Sequence, residues 1–147
     1  MTHEYSGKYA LKRPSGAKPN EEIAKVIRER STGGELSCRV AENIAKELKV
    51  SLSEVGLTAD LLEVKIKQCQ LGLFGWGNKP NHGKDIRAAG SVPKEIENAL
   101  KEVSENGRVT CGAVWAIADR LGTERKAVST ACETLGLKIR ACQLGTF

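Results

Sequence analysis

The sequence predicts a mainly α-helical chain with small β elements, an α+β architecture in which one unit occurs twice in tandem. Three observations carry this expectation. Shifted by 73 residues against itself, the chain aligns positions 20–74 with 93–147 without a gap, and 18 of the 55 pairs are identical. Most of the identities fall at apolar, glycine and cysteine positions, among them Ile23 with Ile96, Gly34 with Gly107, Cys38 with Cys111, Ile44 with Ile117, Leu48 with Leu121, Val55 with Val128 and Cys69 with Cys142. Within each copy, apolar residues recur at helical spacing before a closing stretch alternates them with basic residues. Two copies are too few for a solenoid, in which three or more repeats share a core, so each unit is expected to close its own.

The elements follow in order. Ile23, Val26 and Ile27 in one copy, and Ile96, Ala99 and Leu100 in the other, mark a first helix with early glutamates and with Pro93 in the second copy's first turn. Gly34 and Gly107 lie just beyond it, where helices end. A short extended stretch leads to Ser37 or Thr110, each an N-cap for a second helix whose buried stripe is Val40, Ala41, Ile44, Ala45 and Leu48 or its counterpart. After a short break, Ser51 and Glu54 have capping-box spacing for a third helix, with Val55, Ala59 and Leu62, or Val128, Cys132 and Leu135, facing inward. Val64 and Ile66 then alternate with lysines as in a half-buried strand. The phase reverses between Ile66 and Cys69, so a bulge or sharp bend belongs there. The run Cys-Gln-Leu-Gly-x-Phe closes both copies.

The chain thus divides into a basic tail (1–19), repeat one (20–74), a linker or extended wing (75–92) and repeat two (93–147). Tail and linker are rich in Gly, Pro, Lys and Asn and read as flexible. The net charge of +5 is distributed as +3 in the tail, −1 in repeat one, +2 in the linker and +1 in repeat two. This balance is compatible with nucleic acid without being diagnostic of it. No apolar run approaches a bilayer span and no apolar N-terminal stretch is of signal-peptide type, so a cytoplasmic protein without a membrane partner is expected.

The order helix, strand, helix, tight turn, helix, strand is that of a winged helix. The stretch from Ala116 through Leu121-Gly122 and Val128 to Leu135-Gly136-Leu137 resembles the helix-turn-helix signature of bacterial transcription regulators; copy one fits the same frame with Lys49 in place of the turn glycine. The resemblance covers about 40 residues per unit and names no narrower family. It implies that the third helix enters the major groove of double-stranded DNA and presents its early side chains to base edges. In copy two those are Arg125, Lys126, Ser129 and Thr130, with Lys138 and Arg140 on the following strand placed for phosphates. Copy one carries Leu52, Ser53, Gly56 and Leu57 there, beside Glu54, Asp60 and Glu63. Such a face suits a protein partner or a homodimer better than DNA, with Leu52, Leu57 and the linker's Trp76 as its contacts. The expected function is therefore DNA binding by copy two, of the kind a transcriptional regulator uses, with copy one making partner or dimer contacts. The alternative is a protein-interaction scaffold without nucleic acid.

The five cysteines, an odd number, suit reduced thiols. Cys38, Cys69, Cys111 and Cys142 offer a third reading, a metal or redox sensor. Yet no C-x-x-C occurs and the two histidines, His3 and His82, fall in tail and linker, so buried structural thiols are the simpler expectation, with neither metal nor cofactor. Without a base beside a nucleophile or a phosphate-cradling glycine loop, an enzyme is not expected.

Overall fold

The protein's computed structural model describes residues 8–147; His3 lies outside them. It divides into two units that do not follow the repeat boundaries. Residues 8–69 form the first together with Gln143–Phe147, and Gln70–Cys142 form the second. The closing segment of each repeat therefore belongs to the unit built on the other.

In the first unit, Asn20 caps α1 (Glu21–Arg30), its side chain accepting the Ile23 N–H at 3.1 Å. Thr32 and Glu35 then exchange backbone hydrogen bonds of 2.9 and 3.0 Å around Gly33 and Gly34. Both glycines have positive φ, as a mirror-image two-residue turn requires. Gly34 thus serves a turn between helix and strand, not a helix end. β1 (Glu35–Ser37) runs straight into α2 (Cys38–Leu48), whose first turn Ser37 caps by accepting the Val40 N–H at 3.1 Å. Lys49 closes α2 in the left-handed conformation (φ 56°), and Ser51 caps α3 (Leu52–Leu61) through the Glu54 N–H. β2 (Lys65–Lys67) pairs with β1 in parallel, with Leu36 beside Ile66. Ile23, Ile27, Leu36, Ile44 and Val55 are fully buried at the centre.

The second unit opens with the closing segment of repeat one and a single turn, α4 (Pro80–Gly83). The pattern then recurs at the same offset: α5 (Lys94–Val103), β3 (Arg108–Thr110), α6 (Cys111–Leu121), α7 (Arg125–Leu135) and β4 (Lys138–Arg140). Thr110 caps α6 as Ser37 caps α2, and Pro93 is the N-cap of α5, one position earlier than expected. Leu100, Val109, Val114 and Val128 fill this core, with Leu71 from the opening segment also fully buried.

The described residues are mainly helical with two small sheets. Each sheet is a parallel pair whose strands are joined through two helices, because parallel strands need a long crossover. β2 and β4 are therefore not arms of a hairpin. The chain leaves the sheet at once, through Gln68 (φ 51°) in one repeat and Ala141 (φ 55°) in the other. These left-handed residues produce the phase reversal between Ile66 and Cys69. The tail and linker, expected to be flexible, carry structure: Tyr9–Lys12 form a 3-10 turn with Tyr9 buried, and the first part of the linker joins the end of repeat one in a strap of residues 70–85 described below. Among the described residues no helix is long and apolar enough to cross a membrane.

Candidate nucleic-acid interface

The side chains expected to read bases stand on the first two turns of α7. Arg125, the first residue of that helix, does not point freely into solvent. Its guanidinium lies 3.8 Å from the centroid of the Trp115 ring on α6. It donates to the Gln70 side-chain oxygen at 3.0 Å and to Asp119 at 3.2 Å, and its side chain is only 16% exposed. Lys126 forms an ion pair with Asp85 and sits 4.0 Å from the centroid of the Trp76 ring. Lys79 pairs with the other oxygen of Asp85 at 2.8 Å. The hydrogen bonds from Lys126 and Lys79 hold the Asp85 carboxyl down to about 2.

Beside Trp115 and Asp119 of α6, the groups that engage Arg125 and Lys126, namely Gln70, Trp76 and Asp85, come from residues 70–85. This strap is tied to itself by Asp85 N–H to Gly72 O (2.7 Å), Gly75 N–H to His82 O (2.9 Å) and Trp76 N–H to Gly83 O (3.1 Å). It covers the face that base readout would use. Ser129, expected on that face, is fully buried, and its hydroxyl has no hydrogen-bond partner among the described residues. Helical geometry explains this, because one turn separates residues 125 and 129 and places them on the same covered side. Thr130 is half-buried, and its carbonyl accepts the Thr134 hydroxyl at 2.8 Å.

The equivalent face of α3 is covered in the same way. A Cβ placed on Gly56, the counterpart of Ser129, would fall 1.7 Å from the Leu144 carbonyl oxygen, so the closing segment packs backbone directly against the helix. The tail covers the adjoining turn. Arg13 and Lys12 reach Asp60 at 2.7 and 3.2 Å, and the backbone N–H groups of Tyr9 and Ala10 donate to Glu63 at 2.6 and 2.9 Å. Burial pushes the Asp60 carboxyl up despite these two cations. Leu52 and Leu57 are half-buried, as is Trp76. The expected leucine contact surface is therefore not an open patch. Of the tail's cations, Lys12 and Arg13 are engaged in ion pairs, while Lys8 and Lys18 are exposed.

The remaining predicted cations stand apart from α7. Lys138 and Arg140 are exposed on β4, on the sheet face opposite Ile139. The parallel register sets Arg108 of β3 beside Lys138 and Thr110 beside Arg140. Three cations thus share one outward face, and Val109 and Ile139 point the other way. Sequence reasoning missed Arg108 because its proximity to Lys138 depends on a parallel pairing across 30 residues. The first unit has Glu35 where Arg108 stands, and Glu35 pairs with Lys67 at 3.7 Å, so its strand face carries two lysines against one carboxylate where the second unit has three cations.

All five cysteines are thiols outside any disulfide; Cys142 is half-buried and the other four are buried. Burial pushes the Cys132 thiol up to about 12, as for a thiol packed in a core. Among the described residues no three His, Cys, Asp or Glu side chains converge as a metal site would require. Comparison with protein-family profiles, with characterised proteins and with solved structures finds no match for this chain.

Proposed function

We propose that this is a double-stranded DNA-binding protein of helix-turn-helix type, suited to transcriptional regulation, whose second unit grips the phosphate backbone through the face of β3 and β4. The observation that carries the reading is the outward cluster of Arg108, Lys138 and Arg140. Like charges set side by side on a strand pair repel one another. An array of phosphates relieves that repulsion and releases counterions. The helix pairs α2–α3 and α6–α7, each joined by a three-residue turn, support the helix-turn-helix assignment. The winged-helix reading rests on element order, with the wing reduced to a single strand beside β1 or β3. Base readout by Arg125 and Lys126 belongs to a state in which the strap has moved. In the arrangement described, binding is by phosphate and shape.

The test is fluorescence anisotropy on a labelled duplex across a salt series. Neutralising Arg108, Lys138 and Arg140 together should lower the magnitude of the log K against log salt slope by roughly 2.7, while Arg125→Ala plus Lys126→Ala should leave it unchanged. Absence of binding by the unaltered protein at low salt sinks the reading. The reverse ranking of the variants moves the contact back to α7.

A second reading, self-association, is favoured by the crossing of the closing segments. Gln143–Phe147 complete the first unit, and residues 70–74 open the second. Segments exchanged within one chain can also be exchanged between two. Light scattering across a concentration series tests this, and a mass that stays monomeric removes it.

A further inference from the structure

The two units differ in how the C-terminal end of the third helix and the strand after it are covered. In the first, the Glu63 carboxylate follows α3 and clamps the backbone of Tyr9 and Ala10, and the tail lies over the end of the helix. Tyr9, Val64 and Ile66 are all buried in this unit. In the second unit the position of Glu63 is Gly136, which has no side chain with which to clamp anything. The counterparts of Val64 and Ile66, Leu137 and Ile139, are only half-buried. A cavity of about 310 Å³ opens there.

Its lining is mixed, apolar on one part and polar on the rest, where the buried Ser129 hydroxyl and three charged side chains stand. Leu73 and Ile86 of the segment before α5, Cys132 of α7, and Leu137 and Ile139 supply the apolar part. The charged groups of its lining differ in sign from those of the first unit. There, Asp60 and Glu63 receive the cations and N–H groups of the tail. Here, Lys84 and Lys138 line the cavity with one carboxylate, Glu133, which Lys84 already neutralises at 2.8 Å. Lys138 is exposed and makes no ion pair among the described residues.

We infer that this cavity is a binding site for a small carboxylate with an aromatic or branched aliphatic body, the body lying among Leu73, Ile86, Leu137 and Ile139 and the carboxylate meeting Lys138. The volume suits a molecule of roughly ten non-hydrogen atoms, at the lower end of the range for small-molecule sites. The body replaces water over apolar surface that the first unit covers with its own chain. The ammonium supplies the one charge-assisted contact. The inference rests on the second unit's geometry and not on the nucleic-acid reading, so either can fail alone.

The test uses the full chain, without nucleic acid, labelled at Ile and Leu methyl groups for NMR. Phenylacetate is the probe and phenylacetamide its neutral control. Phenylacetate should give saturable shifts at Leu73, Ile86, Leu137 and Ile139, with phenylacetamide binding about tenfold more weakly. Lys138→Gln, a surface change that leaves the fold intact, should weaken phenylacetate by a similar factor and leave phenylacetamide unaffected. Leu73→Trp, which fills the cavity, should abolish the shifts, its folding being checked on the α5 and α6 methyl signals. Non-saturating shifts, equal affinity for acid and amide, or affinity unaltered by Lys138→Gln would each overturn the assignment. If Leu73→Trp fails to fold, the acid–amide difference and Lys138→Gln decide the question.

Discussion

The Arg125 guanidinium stacks on the Trp115 ring at 3.8 Å and donates to Gln70 at 3.0 Å, so the residue best placed by sequence to read a base is part of its own unit's packing. Stacking of this kind contributes roughly 0.5–2 kcal/mol, and a hydrogen bond from a charged group adds about 1.5–3 before entropy is counted. Arg125→Ala should therefore destabilise the second unit by about 1–3 kcal/mol in urea unfolding. An Arg125 that served only to contact DNA would leave the unfolding midpoint where it was.

Lys126 and Asp85 give the strap a pH dependence. Because the Asp85 carboxyl is held at about 2, against 3.8 when unperturbed, its contribution is fully present above pH 4 and is lost as pH falls through about 2. Trp76 lies beside Lys126 and reports on the loss. In a Trp115→Phe background, acid titration of its emission should show a midpoint near 2, and Asp85→Asn should remove that step. A midpoint near the ordinary carboxyl value means that the pair is not formed in solution.

Gly56 and Ser129 occupy equivalent positions and should respond in opposite ways. Gly56→Ala places a methyl group against the Leu144 carbonyl, which must move. It should cost about 1–3 kcal/mol and expose Gln143–Phe147 to carboxypeptidase. Ser129→Ala removes a buried hydroxyl that has no partner among the described residues, so it should be neutral or stabilising by up to about 1 kcal/mol. Thermal unfolding and timed digestion read both. A stabilising Gly56→Ala contradicts the packing described.

Lys49 holds the left-handed position that Gly122 holds in the second unit, at φ 56° and 65° respectively. An L-residue pays roughly 1–2 kcal/mol there, and glycine loses some of that advantage to chain entropy. Lys49→Gly should raise the stability of the first unit by about 0.5–1 kcal/mol, and Gly122→Ala should lower that of the second by a similar amount. Denaturant midpoints with unchanged slopes are the readout.

Much of the local structure was legible because it depends on neighbours in sequence. The caps at Ser37, Thr110 and Ser51, the helical stripes through Ile44 and Val128, and the bend between Ile66 and Cys69 all arise from contacts within a few residues. The candidate site was legible only in part. Lys138 and Arg140 were found because strand alternation turns them outward, whereas Arg108 joins them through a register that no local pattern encodes.

The 73-residue repeat of apolar spacing is enough to specify two matching sets of helices and strands, since the same spacing buries the same faces. Tertiary structure alone decided what lies on those faces. Leu144 against Gly56, Gln70 and Asp85 on the start of α7, and Tyr9 under the control of Glu63 are contacts between residues 41 to 88 positions apart. Each forms because an exposed helix face is stabilised by any chain that can reach it and satisfy its polar groups. A side chain's charge shows what it can bind, and the folded chain shows whether it is already bound.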